Sequence, residues 1–327
     1  MKKVALITGI TGQDGSYLAE QLLEKGYEVH GLLRRSSTFN TARLSNLYKS
    51  TELEQKIYLH YSDSLDSLHL YQIITEICPN EIYNLAALSH VAQSFDQPEY
   101  AAQTGGLGLL RLLEILRLTK IPSRVYQAST SELFGSTPPP QSENSKFNPR
   151  SPYAVAKLYA HETARLYREA FGIYVSTGIL FNHESPRRGR SFVTRKITTA
   201  VAEIVQGKRH ELILGNLDAR RDWGFAPEYT DAMWRILQLD EPQDLVVATG
   251  TQYSVLDFCN FAFTSAGLDW EKFTKTSPQF ERPLEVESLC GDPRRMNELT
   301  GWKAKTLAPE LAKIMVEADL QLEQFLF

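Results

Sequence analysis

The sequence predicts an α/β protein: a Rossmann-type, doubly wound parallel sheet with a smaller α/β C-terminal substrate domain. Three observations carry that reading. Short β-branched runs alternate with longer helical patterns through the first half of the chain. A glycine-rich turn follows the first run and opens a helix. The length, 327 residues, suits one large α/β domain or two intimate ones. Apolar residues make up 43% and charged residues 23%, and 35 Lys+Arg against 39 Asp+Glu leave a formal charge of −4. That balance excludes a disordered chain and a globally basic nucleic-acid binder. Cys78, Cys259 and Cys290 are widely spaced and form no C-x-x-C pair, so no zinc site or redox motif is expected and a reducing compartment fits. The N-terminal apolar run, about five residues, is too short for a signal peptide. No stretch nears the roughly 18 apolar residues needed to cross a bilayer. The expectation is a soluble, cytoplasmic protein.

Taken in order, the expected strands are Val4 to Thr8, Glu28 to Leu33, Ile57 to Tyr61, Glu81 to Leu85, Val125 to Ala128 and Tyr174 to Ile179, each bounded by Gly, Pro, Asn, Asp or Ser. Between them the helical pattern covers Ser16 to Lys25, Ser67 to Ile77, Leu107 to Leu118 and Tyr153 to Phe171. Gly26 and Gly172 close the first and last of these, where a left-handed residue is cheap. Residues 135–152, rich in proline, form a loop. Beyond residue 179 basic loops and separate helices take over, at Thr194 to Gln206, Asp231 to Leu239, Val255 to Ala266 and Leu307 to Leu320. The expected division is therefore residues 1–179 for a cofactor domain and 180–327 mainly for substrate, with a return strand near 244–248.

Directly after the first strand stands Gly9-Ile10-Thr11-Gly12-Gln13-Asp14-Gly15. Small residues at this spacing permit a tight turn and let backbone N–H groups approach a pyrophosphate at a helix N-terminus. At the end of the second strand, where an acid would hold the ribose hydroxyls of NAD, the chain has Arg34, Arg35, Ser36 and Ser37. Guanidinium and hydroxyl donors match a 2′-phosphate, which favours NADP; a solvated basic turn is the alternative. Asp63, just past the third strand, is placed to accept from an adenine amino group or to cap the helix that follows.

Tyr153 and Lys157 stand at i and i+4 on one helical face. The ammonium is expected to lower the tyrosine pKa from about 10 and make it a general base for an alcohol being oxidised. Upstream, Ser129-Thr130-Ser131-Glu132 lies at the carboxyl end of the fifth strand, where such sheets build their sites.

Glycine turn, Tyr/Lys pair and strand-end Ser/Thr resemble the extended short-chain dehydrogenase/reductase superfamily. More narrowly, GlyIleThrGlyGlnAspGlySerTyrLeu, ArgArgSerSerThrPheAsnThr, GlnAlaSerThrSerGluLeuPheGly, ProArgSerProTyrAlaValAlaLys, PheAsnHisGluSerProArgArgGly and AspTrpGly resemble GDP-mannose 4,6-dehydratases, from Lys3 to about Leu320. The resemblance implies that Tyr153 takes the C4 hydroxyl proton while NADP takes the C4 hydride, with Thr130 on the C4 oxygen and Lys157 also on the cofactor ribose. Glu132 would move the C5 proton and release the C6 hydroxyl as water. Simple epimerases of the superfamily need no such acid. The dTDP-glucose dehydratases carry an Asp before that Glu, where this chain has Ser131. The implied NADP site extends to Asp63, Ser64, Leu85, Ala86, Ala87, Ser89, Tyr100, His183 and Arg188; read on its own, His183 is more often a packed or loop histidine than a ligand. Ser89, Glu132, Asn182, Lys196, Arg221 and Arg282 are implied at the GDP-sugar, and residues 34–43 at a neighbouring subunit's cofactor in a homotetramer, a dimer of dimers.

The basic residues Arg187, Arg188, Arg190, Arg195, Lys196, Arg220, Arg221 and Arg282 cluster in a chain that is acidic overall, which points to a discrete dianionic ligand such as a nucleotide diphosphate. Arg187 and Arg190 equally suit a solvated loop. Two departures from the family pattern stand out. Leu88 replaces a Gln, and Gln103-Thr104-Gly105-Gly106 replaces an Asp-Val-Asp-Ala stretch. Both are expected near the sugar, where they would open space for a larger GDP-sugar such as a manno-heptose or impair the enzyme to an NADP-binding sensor.

Overall fold

A computed structural model describes residues 3–35, 40–45, 47, 56–280 and 284–324. Its centre is a seven-stranded sheet of β1 (Val4–Thr8), β2 (Glu28–Leu33), β3 (Ile57–Tyr61), β4 (Glu81–Asn84), β5 (Arg124–Ala128), β6 (Val175–Leu180) and β10 (Asp244–Val247). The order is β3-β2-β1-β4-β5-β6-β10 and every pairing is parallel. The order reverses between β1 and β4, which opens a crevice at the carboxyl ends of those strands, directly over the glycine turn.

Strand alternation divides the core between the two faces of the sheet. Ala5 and Ile7 of β1 pack with Leu18 and Leu22 of the helix Gln13–Glu24 and with Met233 and Ile236 of the helix Ala226–Gln238. Leu6, between them, packs with Leu70, Leu112 and Ala160 of the helices Ser67–Ile77, Leu107–Thr119 and Pro152–Phe171 on the opposite face. Helix ends follow local chemistry. Asp66 caps the helix Ser67–Ile77 by accepting from His69 N, and Ser151 caps Pro152–Phe171 by accepting from Ala154 N, with Pro152 in the first turn. Gly26 and Gly172 have φ of 85° and 66°, the left-handed backbone expected of them.

After β6 the chain leaves the sheet. β7 (Asn182–Glu184), β9 (Arg220–Phe225) and β11 (Gln252–Ser254) make a three-stranded sheet, and β8 (Leu212–Leu214) pairs with β12 (Thr274–Thr276). A separate core of Ile197, Val201, Trp223, Phe258, Leu311 and Met315 holds these strands against the helices Val193–Val205, Val255–Ser265 and Ala308–Gln324. The intervening helix Ala226–Gln238 and β10 return to the first sheet.

Two short helices, Val91–Asp96 and Pro98–Ala101, and a π-helical turn over Ala102–Gly106 were not legible in the sequence. The π turn changes how its residues face. Gly105 and Gly106 are buried, and a Cβ on Gly105 would meet Ala156 Cβ at 3.5 Å while one on Gly106 would meet the Ala156 carbonyl oxygen at 3.2 Å. The expectation that these glycines open the pocket is corrected: they let one helix approach another.

Candidate active site

The crevice is a cavity of about 1080 Å³, above the range of about 300–1,000 Å³ usual for one small ligand. One end is built by the turn after β1. Gly9 has φ of 72°, and its carbonyl oxygen accepts from Gly12 N at 2.9 Å. A Cβ on Gly15 would lie 2.4 Å from that oxygen and 2.6 Å from Ile10 Cα, so no other residue fits. No side chain caps the helix Gln13–Glu24; its first-turn N–H groups and positive dipole end face the cavity. Such a cradle and donor set fit a dinucleotide pyrophosphate. Gly9, Thr11, Gly12, Gln13, Asp14, Gly15, Arg34, Ser64, Leu85, Ala86, Ala87, Ser89 and Tyr100 all line the wall.

Arg34 donates to the Tyr100 hydroxyl, whereas Arg35 lies over the Tyr61 ring, 5.3 Å from its centroid, and off the wall. Asp63 sits between two wall residues, Ser62 and Ser64, but its carboxylate accepts from Leu65 N at 3.0 Å; Asp66, three residues on, is the helix cap. Ser36 and Arg282 lie outside the described residues. Arg43, expected toward a neighbouring subunit, donates to the carbonyls of Arg187 and Thr11 of its own chain.

Gln13, Asp14 and His183 are bound to one another as well as to the wall. Gln13 donates to the His183 carbonyl and to Asp14, and accepts from Ser185 Oγ. Arg187 reaches Ser16 and Glu20 of the same helix. The strand carrying Asn182 is thereby strapped to the cofactor turn. Arg187, read as a ligand or a solvated loop residue, is part of that strap.

At the centre of the cavity stand Thr130, Glu132, Tyr153 and Lys157, all buried. A 3-10 turn over Ser131–Leu133 points Glu132 inward, and Thr130 Oγ1 accepts from Glu132 N at 3.2 Å. Burial pushes Tyr153 up to about 12, opposed by a hydrogen bond with Thr130 and reinforced by the charge of Glu132. The expectation that Lys157 lowers this pKa is corrected. The Lys157 ammonium is aimed at the Ala128 carbonyl oxygen, 2.8 Å away, and burial brings Lys157 down to about 8.

The wall also carries Asn182, next to the strapped His183, Arg188, close enough for its charge to act on Asp14 and Tyr153, and Lys196 and Arg221. Arg221 pairs with Glu285 at 3.2 Å, Arg188 with Glu184 at 3.0 Å, and the Lys196 ammonium lies 3.9 Å above the Phe280 ring. Arg195 departs from expectation: it is buried against Asp319, tying one helix to another, and takes no part in the wall. Leu88 does line the cavity, but Gln103 turns away and accepts from Arg111. Sequence reasoning missed Arg209, Asn216, Phe280 and Glu285, which share this wall. They come from separate segments of the chain with no motif among them; the basic Gly-Lys-Arg-His stretch around Arg209 was the one available signal.

A nucleotide-cradling turn, a buried Ser/Thr-Glu-Tyr-Lys set and a basic wall occupy one cavity, and the whole frame matches a known family: the model described as GDP-mannose 4,6 dehydratase covers residues 6–315. The chain belongs to that family. Among its relatives, GDP-mannose 4,6 dehydratase 1 of Arabidopsis thaliana is 52% identical, covering 98% of this chain and 91% of its own length. The GDP-mannose 4,6-dehydratase of Vibrio cholerae serotype O1 is 50% identical over 99% of this chain and 95% of its own. In fold, the dTDP-glucose 4,6-dehydratase of Bacillus anthracis, solved with NAD, superposes with a TM-score of 0.84 at 19% identity, covering 99% and 98% of the two chains.

Proposed function

We propose that the protein converts GDP-mannose to GDP-4-keto-6-deoxymannose, losing one water, with NADP bound in the glycine-lined half of the cavity and the nucleotide sugar in the basic half. The observation that carries this reading is the placement of Glu132 beside Thr130, Tyr153 and Lys157 in one buried cluster. Oxidation at C4 alone needs no carboxylate there, and elimination does.

Bound nicotinamide supplies the hydride acceptor for C4, the donor for C6 and a positive charge beside a buried phenol. Thr130 holds the C4 oxygen, and Tyr153 takes the C4 hydroxyl proton. Desolvation, which holds the phenol up to about 12, makes its anion a strong base that a cation in the cavity brings toward working pH. The C4 ketone acidifies the C5 hydrogen. Glu132 takes that proton and delivers one to the departing C6 hydroxyl, so that water leaves. When the resulting C5–C6 double bond is reduced at C6, Tyr153 returns its proton to C5. Lys157 supports the ribose and Arg221 and Lys196 neutralise the diphosphate, with Ser89, Asn182 and Arg282 completing the sugar side. Arg34, on the cavity wall, selects a 2′-phosphate together with Ser36. Residues 180–327 mainly hold substrate.

The test is to incubate protein, NADP and GDP-mannose and follow loss of water by mass spectrometry, with Glu132→Gln as control. Conversion by wild type that the variant lacks is expected; NADPH binding without conversion overturns the mannose reading. Leu88 in the wall favours one second reading, a larger GDP-sugar, and GDP-manno-heptose in the same assay separates the two. Tighter NADPH than NADH binding is the expected cofactor result. The reading extends to a cytoplasmic homotetramer, for which sedimentation gives the mass. Among the described residues no helix is long and apolar enough to cross a membrane.

A further inference from the structure

Beneath the cavity floor a chain of buried side chains crosses three strands. Thr8 on β1 accepts from the backbone N–H groups of Leu85 and Ala86, both at 3.0 Å, and donates to Asn84 Oδ1 on β4 at 2.9 Å. Asn84 Nδ2 donates to Gln127 Oε1 on β5 at 2.7 Å. Gln127 Nε2 donates to the Ala128 carbonyl oxygen at 2.9 Å, and the same oxygen accepts from Lys157 Nζ at 2.8 Å. Thr8, Asn84, Gln127 and Lys157 are each less than one-tenth exposed.

The direction of this chain is forced. Asn84 Oδ1 is taken by the Thr8 hydroxyl, so its amide nitrogen faces Gln127, and Gln127 must present oxygen to Asn84 and nitrogen to Ala128. Reversing either amide would set donor against donor and acceptor against acceptor in a buried site, at a cost far above that of a rotated surface side chain. One lone pair of the Ala128 carbonyl is therefore held by Gln127, and the other is left for the ammonium.

We propose that Gln127 is a positioning residue: by holding the Ala128 carbonyl it fixes where Lys157 places its ammonium, and through Asn84 and Thr8 it ties that position to the wall segment 85–86. The inference rests on the reading of Lys157 as a cofactor and catalytic ligand, but the geometry is independent of it. Thr8, Ala128 and Lys157 reach the cavity wall, whereas Asn84 and Gln127 lie behind it. Around Lys157 the titratable groups are Asp14, from the helix after β1 and paired with His183, Tyr153, one turn earlier on its own helix, and Glu132 of the 3-10 turn packed against that helix.

The test compares Gln127→Glu and Gln127→Met. Glutamate is isosteric and still accepts from Asn84, but its ionised carboxylate no longer donates to the Ala128 carbonyl and sets a negative charge beside Lys157; methionine fills the space but bonds neither neighbour. Lys157 lines the cavity, so the pH dependence of its acylation, followed by peptide mass spectrometry, reads its titration directly without turnover. The expected result for Gln127→Glu is a midpoint moved up by a pH unit or more. For Gln127→Met it is NADPH binding weakened about tenfold with GDP binding unchanged. A Lys157 midpoint and an NADPH affinity within about twofold of wild type in both variants would overturn the proposal, leaving Gln127 as core filling. If the methionine variant does not fold, the glutamate midpoint decides alone. Should wild type bind no NADPH, the functional reading fails, while a shifted Lys157 midpoint would still stand for Gln127.

Discussion

His183 Nε2 lies 2.8 Å from an Asp14 carboxylate oxygen, while its Nδ1 lies 2.8 Å from the Phe181 carbonyl oxygen. Both partners are acceptors, so both ring nitrogens donate and the ring is an imidazolium. It stacks on Tyr229, with centroids 4.6 Å apart. Burial disfavours both charges, but each group outweighs that for the other: Asp14 is held below its ordinary 3.8 and His183 above its ordinary 6.5.

The sign of the resulting pH dependence follows. The His183 contribution is fully present below 6.5 and lost as pH rises through its folded value; the Asp14 contribution is fully present above 3.8 and lost as pH falls through its folded value. His183→Asn is expected to cost about 1–3 kcal/mol at pH 5.5 and clearly less at pH 9. Urea unfolding at the two pH values measures it, and an equal cost at both would refute the ion pair.

Gly15→Ala should destroy dinucleotide binding. The added carbon would lie 2.4 Å from the Gly9 carbonyl oxygen and 2.6 Å from Ile10 Cα, so the turn itself must move. NADPH fluorescence titration should show affinity lost by about a hundredfold or more, equivalent to about 2.7 kcal/mol. Binding within tenfold of wild type would contradict the tight-cradle geometry.

Gly105→Ala should do the reverse. Its Cβ would make an ordinary contact with Ala156 at 3.5 Å, away from the cavity wall, and glycine within a helical segment costs roughly 0.5–1 kcal/mol relative to alanine. A stability gain of about that size with unchanged kcat is expected from thermal unfolding and steady-state assay. Gly106→Ala, which meets a carbonyl oxygen at 3.2 Å, should gain nothing. A marked fall in activity for Gly105→Ala would return these glycines to the pocket.

Two arginines separated by sequence pattern alone would be treated alike, and the structure divides them. Asp319→Ala strands the buried Arg195 charge and should cost about 3–5 kcal/mol of stability while leaving KM for GDP-mannose unchanged in the folded fraction. Arg221→Lys, at the wall, should raise KM about tenfold, about 1.4 kcal/mol, because an ammonium cannot reproduce the bidentate fork. Chemical denaturation and steady-state kinetics on both variants check the division; a KM effect from Asp319→Ala would undo it.

Much of this protein is legible because its determinants are local. β1, β2, β3 and β10 are periodic apolar runs, Gly26 and Gly172 are residues that tolerate positive φ, and the glycine turn and the Tyr153/Lys157 spacing are set within single segments. The π turn over Ala102–Gly106 was hidden, because its five-residue register leaves no sequence period distinct from an interrupted helix. The basic run from Arg187 to Lys196 illustrates the other difficulty: five neighbouring cations have the same composition, but Arg187 goes to Glu20, Arg188 to Glu184 and Arg195 to Asp319.

By itself the sequence determined the doubly wound fold, the nucleotide-cradling turn and the identity of the buried Thr130, Glu132, Tyr153 and Lys157, since hydrophobic period, glycine conformation and side-chain chemistry act over a few residues. Tertiary structure decided the partners. Whether Lys157 faces Tyr153 or Ala128, whether His183 meets a ligand or Asp14, and which arginines reach the wall depend on contacts between strands far apart in the chain. Burial then sets the charge states, because desolvation is a property of the assembled cavity and of no single segment.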